Sequence, residues 1–173
     1  LNKIIVFLLF SIISYFLFQK FLMFKKLHIH HKRAHTTNFS LLSTIFGIPI
    51  EDIPTNKDGV PPFLPVIINY LIDNRSQEGI FRRAGNKIII DQIGGCALDA
   101  NFTIRPNYTV HDLASFLKQW IRELPVPIIT PSIINKYYKD ESMNSTKEVL
   151  KHLHGINRKC IAMIFSLIIL IST

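Results

Sequence analysis

Glu78-Gly79-Ile80-Phe81-Arg82-Arg83-Ala84-Gly85 sets an arginine pair between two glycines, and Phe116-Leu117-Lys118-Gln119-Trp120-Ile121-Arg122-Glu123-Leu124-Pro125-Val126-Pro127 follows about thirty residues later. The second stretch decides the fold class, because it closes a helix running from Thr109 to Leu124. Leu113, Phe116, Leu117, Trp120, Ile121 and Leu124 fall within one narrow arc at about 100° per residue, which is the apolar stripe of a helix packed on a core. Thr109 supplies a capping oxygen, and Asp112 three residues on completes a capping-box pattern. Pro125 ends the helix, since its ring removes the amide needed to continue. Lys118 and Arg122 lie one turn apart on the opposite face. Like charges so close mildly destabilise a helix, and an anionic partner surface would offset the cost.

Working back from this helix, Arg75 to Gly85 reads as a loop. Gly79 and Gly85 are expected to take backbone geometries closed to other residues. Ile80 and Phe81 are apolar inside a polar stretch, so they are expected to pin the base of the loop into the core and push Arg82 outward. Before the loop, Val60-Pro61-Pro62 leads into a helix, where prolines are tolerated in the first turn. Phe63, Val66, Ile67, Tyr70 and Leu71 make its apolar face, and Asp73-Asn74 ends it. After the loop, Asn86–Ile93 is read as a further helix despite its β-branched isoleucines, with Gly94-Gly95 as its stop. Cys96–Tyr108 is an irregular connection. Ile133–Tyr138 and Thr146–His154 are read as two more helices, the latter with Val149, Leu150 and Leu153 on one face. The predicted class is all-α.

The two stretches together resemble the RhoGAP family of GTPase-activating domains, whose signature runs roughly GIFR…LLK-x-x-x-RELP-x-P. Phe46-Gly47-Ile48-Pro49-Ile50 is similar to the family's opening strip, and Leu150-Lys151-His152-Leu153-His154 to its L-x-x-HL strip. The likeness spans about residues 46–160 and implies a helical bundle that stimulates GTP hydrolysis by a Rho- or Rac-type small GTPase in its GTP form. Arg82 matches the family's arginine finger. Lys118 matches a lysine that contacts the GTPase switch region, and Arg122 an arginine that holds the finger loop through its backbone. Pro127 matches a proline near the GTPase-binding surface, while Gly79, Phe81 and Gly85 shape the loop. A protein of this kind is an enzyme regulator, cytoplasmic, with no cofactor of its own: GTP and Mg²⁺ belong to the partner. Consistently, the chain has no Gly-x-x-x-x-Gly-Lys-Ser/Thr loop. The family continues with a helix carrying N-K-M-x-x-x-NLA, and residues 157–170 do not reproduce it, so a C-terminally truncated domain is expected, with 161–173 an apolar tail. Two other readings stand beside this one: a GTPase-binding module that does not accelerate hydrolysis, and a membrane-anchored scaffold.

A chain of 173 residues has room for one domain with a real core. Its net charge of +8 is lopsided, because Lys3, Lys20, Lys25, Lys26, Lys32 and Arg33 all precede the first acidic residue, Glu51. Twenty basic residues less those six leaves 14 against 12 acidic ones, so the presumed domain is only +2. The charge balance therefore gives no support to nucleic-acid binding. Residues 1–24 are almost wholly apolar and make a marginal membrane span, since a crossing takes roughly 20 such residues. The lysines after it would put the remainder on the cytosolic side, with membrane contact through residues 1–33. The same composition also arises from translated AT-rich non-coding sequence, and both origins stay open. His28, His30, His31 and His35 lie in the basic linker 25–45 without the further ligands and supporting partners a metal site needs, so no metal site is assigned. Cys96 and Cys160 are unpatterned, which fits a reducing compartment.

Overall fold

A computed structural model describes residues 44–133 and 150–172 of the protein. The candidate membrane arm 1–24, the histidine cluster and most of the two helices expected at 133–138 and 146–154 lie outside the described residues. Those that are described form helices and turns with no strand.

Helix α1 spans Phe63–Asp73 and is entered through Pro61 and Pro62, with the Leu64 amide donating to the Pro61 carbonyl. It stops where the Asn74 amide and side chain both donate to the Tyr70 carbonyl. Helix α2 spans Lys87–Cys96 and starts at Asn86, whose side-chain oxygen accepts the Ile88 amide. Helix α3 spans Val110–Glu123 and begins with the full reciprocal capping box of Thr109 and Asp112 that the sequence pattern predicts. Helix α4 spans Gly155–Ile171. A short 3-10 turn at Ile50–Asp52 precedes them all.

Helix α1 is the shared element: α3 and α4 both pack on it, and α2 packs on α3. At the junction of α1 and α3, fully buried Phe63 meets three rings edge-on: Trp120 at 5.0 Å, Phe116 at 5.4 Å and Phe102 at 6.4 Å between centroids. Phe46 adds a tilted contact to Phe116 at 5.6 Å. Such edge-to-face pairs add to plain area burial, and their geometry orients the two helices. The predicted stripe on α3 is buried from Leu113 to Leu124, with Ile121 half-buried at its margin.

Three details differ from the sequence reading. Gly94-Gly95 does not stop α2, which runs on to Cys96. A side-chain carbon on Gly94 would fall 2.7 Å from the Phe46 ring and 3.0 Å from Thr44 Oγ1, so this glycine opens a groove for the incoming chain instead. The Ile45 amide donates to the Gly94 carbonyl and Ile45 is fully buried, so packing already begins inside the segment read as a linker. Finally, the stretch read as an apolar tail is the body of α4, where Ile161, Ile164, Phe165 and Leu167 are buried.

Burial also pushes the Cys160 thiol up to about 12, with neighbouring Lys159 pulling weakly the other way, so this cysteine is a core residue without thiolate chemistry. Phe63→Ala should cost about 3–5 kcal/mol by loss of its ring contacts and the cavity left behind, read as a lower urea midpoint with a similar slope.

Candidate functional site

The loop between α1 and α2 turns on Gly79, whose φ of 74° is the left-handed geometry that favours glycine. The Arg82 and Arg83 amides both donate to the Gly79 carbonyl, at 3.0 and 2.9 Å, which winds the loop into a single tight turn. Ile80 is buried and Phe81 packs partly buried against the core, while Arg82 stands out with its side chain 76% exposed. That is the arrangement expected from two apolar residues preceding the arginine.

The returning half of the loop is fastened to α3. Lys118 Nζ donates to the Phe81 carbonyl at 2.8 Å, the Gly85 amide donates to Ser115 Oγ at 2.9 Å, and the Asn86 amide donates to Asp112 Oδ1 at 2.6 Å. Gly85 is a glycine for a different reason from the one expected. It does not adopt positive φ. A side-chain carbon there would lie 2.6 Å from Asp112 Cα and 2.7 Å from the His111 carbonyl oxygen, so glycine is what lets the loop touch the helix.

Asp112 is the polar group on which this seam converges, and it is 3% exposed. Its Oδ2 accepts from the Thr109 amide at 2.9 Å and the Thr109 hydroxyl at 2.6 Å, while Oδ1 takes the Asn86 amide. Burial pushes its carboxyl pKa up. Hydrogen bonds from Thr109 and Asn86, helped by His111, more than offset this and hold it below the ordinary value. The capping role was legible in the sequence. The bond to Asn86 and the Ser115 contact were not, because each joins residues that no local pattern relates, and the i,i+4 pairing of Glu78 with Arg82 lies in a stretch read as a loop.

Lys118 and Arg122, expected on one outward face, part company. Lys118 is half-buried under the loop, and burial followed by the nearby Arg122 charge lowers its pKa from the ordinary lysine value. Arg122 is exposed and sits 3.5 Å from the Glu123 carboxylate. The bond to the finger-loop backbone assigned by resemblance to Arg122 is thus seen at Lys118. Pro127 is half-buried in the turn after α3, between exposed Val126 and buried Ile128. Among the described residues no cluster of histidine, cysteine and acidic side chains could hold a metal, and no helix is long and apolar enough to cross a membrane.

Comparison with known proteins agrees with this geometry. A family profile described as "RhoGAP domain" matches residues 61–173. The chain is 27% identical over 118 residues to mouse (Mus musculus) unconventional myosin-IXa, covering 67% of this chain and 5% of that protein. It is 32% identical over 104 residues to the Rho GTPase-activating protein conundrum of Drosophila melanogaster, covering 55% of this chain and 16% of the relative. GTPase activating protein homolog 3 of Dictyostelium discoideum is 28% identical over 133 residues, 72% of this chain and 10% of its own. The chain thus spans a small part of the relatives it matches. In fold, it is similar to the crystal structure of human Rho GTPase activating protein 15, with a TM-score of 0.61 at 20% identity over 74% of this chain and 66% of the other.

Asp112→Ala should remove acceptors from two backbone amides at once and cost about 1–3 kcal/mol near neutral pH. Because the folded-state pKa is depressed, this stabilisation is fully present above the unfolded aspartate value of about 3.9 and is lost as pH falls through the lower folded value. The stability gap between wild type and variant should therefore narrow below about pH 4, as measured by urea unfolding across an acid series.

Proposed function

The chain belongs to the RhoGAP domain family, and on that premise we propose that it activates a Rho-family small GTPase by lending it Arg82. The observation that carries this reading is an exposed arginine at the crest of a loop whose backbone is fastened to α3 at Phe81, Gly85 and Asn86.

Phosphoryl transfer from GTP to water spreads negative charge over the phosphoryl oxygens in the transition state, and catalysis is mostly positioning and charge stabilisation. A guanidinium delivered to those oxygens is worth about 10³–10⁵ in rate, or roughly 4–7 kcal/mol. Such a gain requires the donor to arrive already placed, since ordering a long side chain and its loop during the reaction would subtract from it. Here Ile80 and Phe81 fix the near side of the loop and the α3 contacts fix the far side, leaving only the Arg82 side chain to adjust. Lys118 acts as a positioning residue through the Phe81 carbonyl. Arg122 and Pro127, beside it at the end of α3, are the groups that would meet the partner directly. The nucleotide, Mg²⁺ and the water-orienting residue are supplied by the GTPase, and on this reading the domain works in the cytosol with the GTP-bound form.

Single-turnover GTP hydrolysis by Rho- and Rac-type GTPases, with the 173-residue chain and its Arg82→Ala variant, tests the proposal. Wild type should accelerate hydrolysis, and the variant should lose about 10³-fold or more of that acceleration while keeping its fold by circular dichroism. Folded wild-type protein that binds the GTPase without accelerating hydrolysis would reduce it to a binding module. Lys118→Ala should lower kcat/KM by about tenfold, in line with one charge-assisted hydrogen bond, with Arg82 intact.

A further inference from the structure

Arg82 is not a free cation in the unbound protein. Its Nη2 donates to Glu78 Oε1 at 2.9 Å, and both side chains are exposed, at 76% and 88%. The pair is built by the loop's own backbone: left-handed Gly79 and the amides of Arg82 and Arg83 on the Gly79 carbonyl bring residues 78 and 82 to the same side of one turn. The neighbouring Arg83 is also exposed, yet among the described residues it takes part in no ion pair. One of two adjacent arginines is held, and it is the finger.

We propose that Glu78 is a latch on Arg82: it occupies the guanidinium until a GTPase docks, and must let go for Arg82 to reach the phosphoryl oxygens. This rests on the arginine-finger reading and goes beyond it, since that reading gives Glu78 no part. A guanidinium has five N–H donors in a planar fork, and full engagement with phosphoryl oxygens needs the edge that Glu78 now takes. As the interface closes and water leaves, every Coulomb term strengthens. A carboxylate carried in with Arg82 would then lie against the anionic phosphates, so the catalytic geometry excludes the pair. An exposed ion pair is weak enough to open on docking. Glu78 is thus a positioning residue that sets how readily Arg82 is delivered, and it discourages stray anions from binding the finger.

Glu78→Gln keeps the shape and removes the charge. The dissociation constant should be measured with a Rho-type GTPase holding GDP and aluminium fluoride, a mimic of the transition state. The substitution should tighten binding about two- to fivefold, the range expected for an exposed pair. The same substitution in an Arg82→Ala background should change nothing, and the difference in the Arg82 background should shrink at high salt. In the chain alone, the Arg82 side-chain Nε relaxation should report greater mobility once the Glu78 charge is gone. The latch is overturned if Glu78→Gln leaves both affinity and Arg82 mobility unchanged. It is equally overturned if binding tightens as much without Arg82, or if kcat falls at saturating GTPase, which would make Glu78 a pre-organising support instead. Should Arg82 loosen as expected while wild type accelerates no GTPase, Glu78 does restrain Arg82 but the GTPase-activating reading fails, and the latch is overturned with it.

Discussion

The buried carboxylate of Asp112 is the interaction on which the site depends. It closes the first turn of α3 through Thr109 and, with its other oxygen, takes the amide that begins α2. A helix end leaves several amides without partners, and a loop pressed onto a helix leaves more. One carboxylate here satisfies both needs. The loop then follows α3 upward, with Ser115 and Lys118 meeting its backbone three and six residues further on. At about 1.5 Å of rise per residue, these contacts cover roughly 9 Å of helix. The six residues from Phe81 to Asn86 run antiparallel to that length, so Arg82 sits on a stretch of backbone fastened to α3.

Electrostatics along the seam are graded in a way that suits an arginine donor. The anion sits deepest, hydrogen-bonded and depressed in pKa. Lys118 is half-buried and spends its ammonium on a carbonyl oxygen, at a desolvation cost that shows as a lowered pKa. Arg82 and Arg122, both exposed, pair with solvent-screened carboxylates at the rim. Pairs of that kind contribute little to stability. Holding the loop therefore rests on backbone hydrogen bonds and the burial of Ile80 and Phe81, which leaves the guanidinium available for exchange between partners.

Features with a local cause were legible in the sequence. The α3 stripe, its capping box and its proline stop each depend on residues a turn or two apart, and all of them are as read. Where the reading departed, a distant segment had intervened. Gly94-Gly95 looks like a helix stop because glycine is a poor helix former, but Phe46 and Thr44 lie across Gly94 from some fifty residues away. Lys118 and Arg122 are equivalent on a helical wheel, since a wheel contains no loop. Only the return of residues 81–86 across α3 distinguishes the lysine that it covers from the arginine that it misses. The resemblance placed the backbone contact at Arg122 and the structure has it at Lys118, because a motif records which side chains recur and not which of two neighbours reaches the backbone.

The same logic distinguishes position 82 from position 83. Ile80 is buried and Phe81 is half-buried, and the turn on Gly79 leaves no room to sink a third residue before the chain climbs toward Gly85. The first residue after the aromatic anchor is the first that can point outward, and its carbonyl neighbour at 81 is the one that Lys118 clamps. Arg82 is therefore one bond removed from a fixed peptide group, whereas Arg83 already belongs to the climb toward Gly85. A rate effect that relies on placing one guanidinium within a few tenths of an ångström favours the residue nearest the clamp. Insertion or deletion of a single residue between Gly79 and Arg82 would separate the arginine from that clamp while leaving its exposure and charge intact.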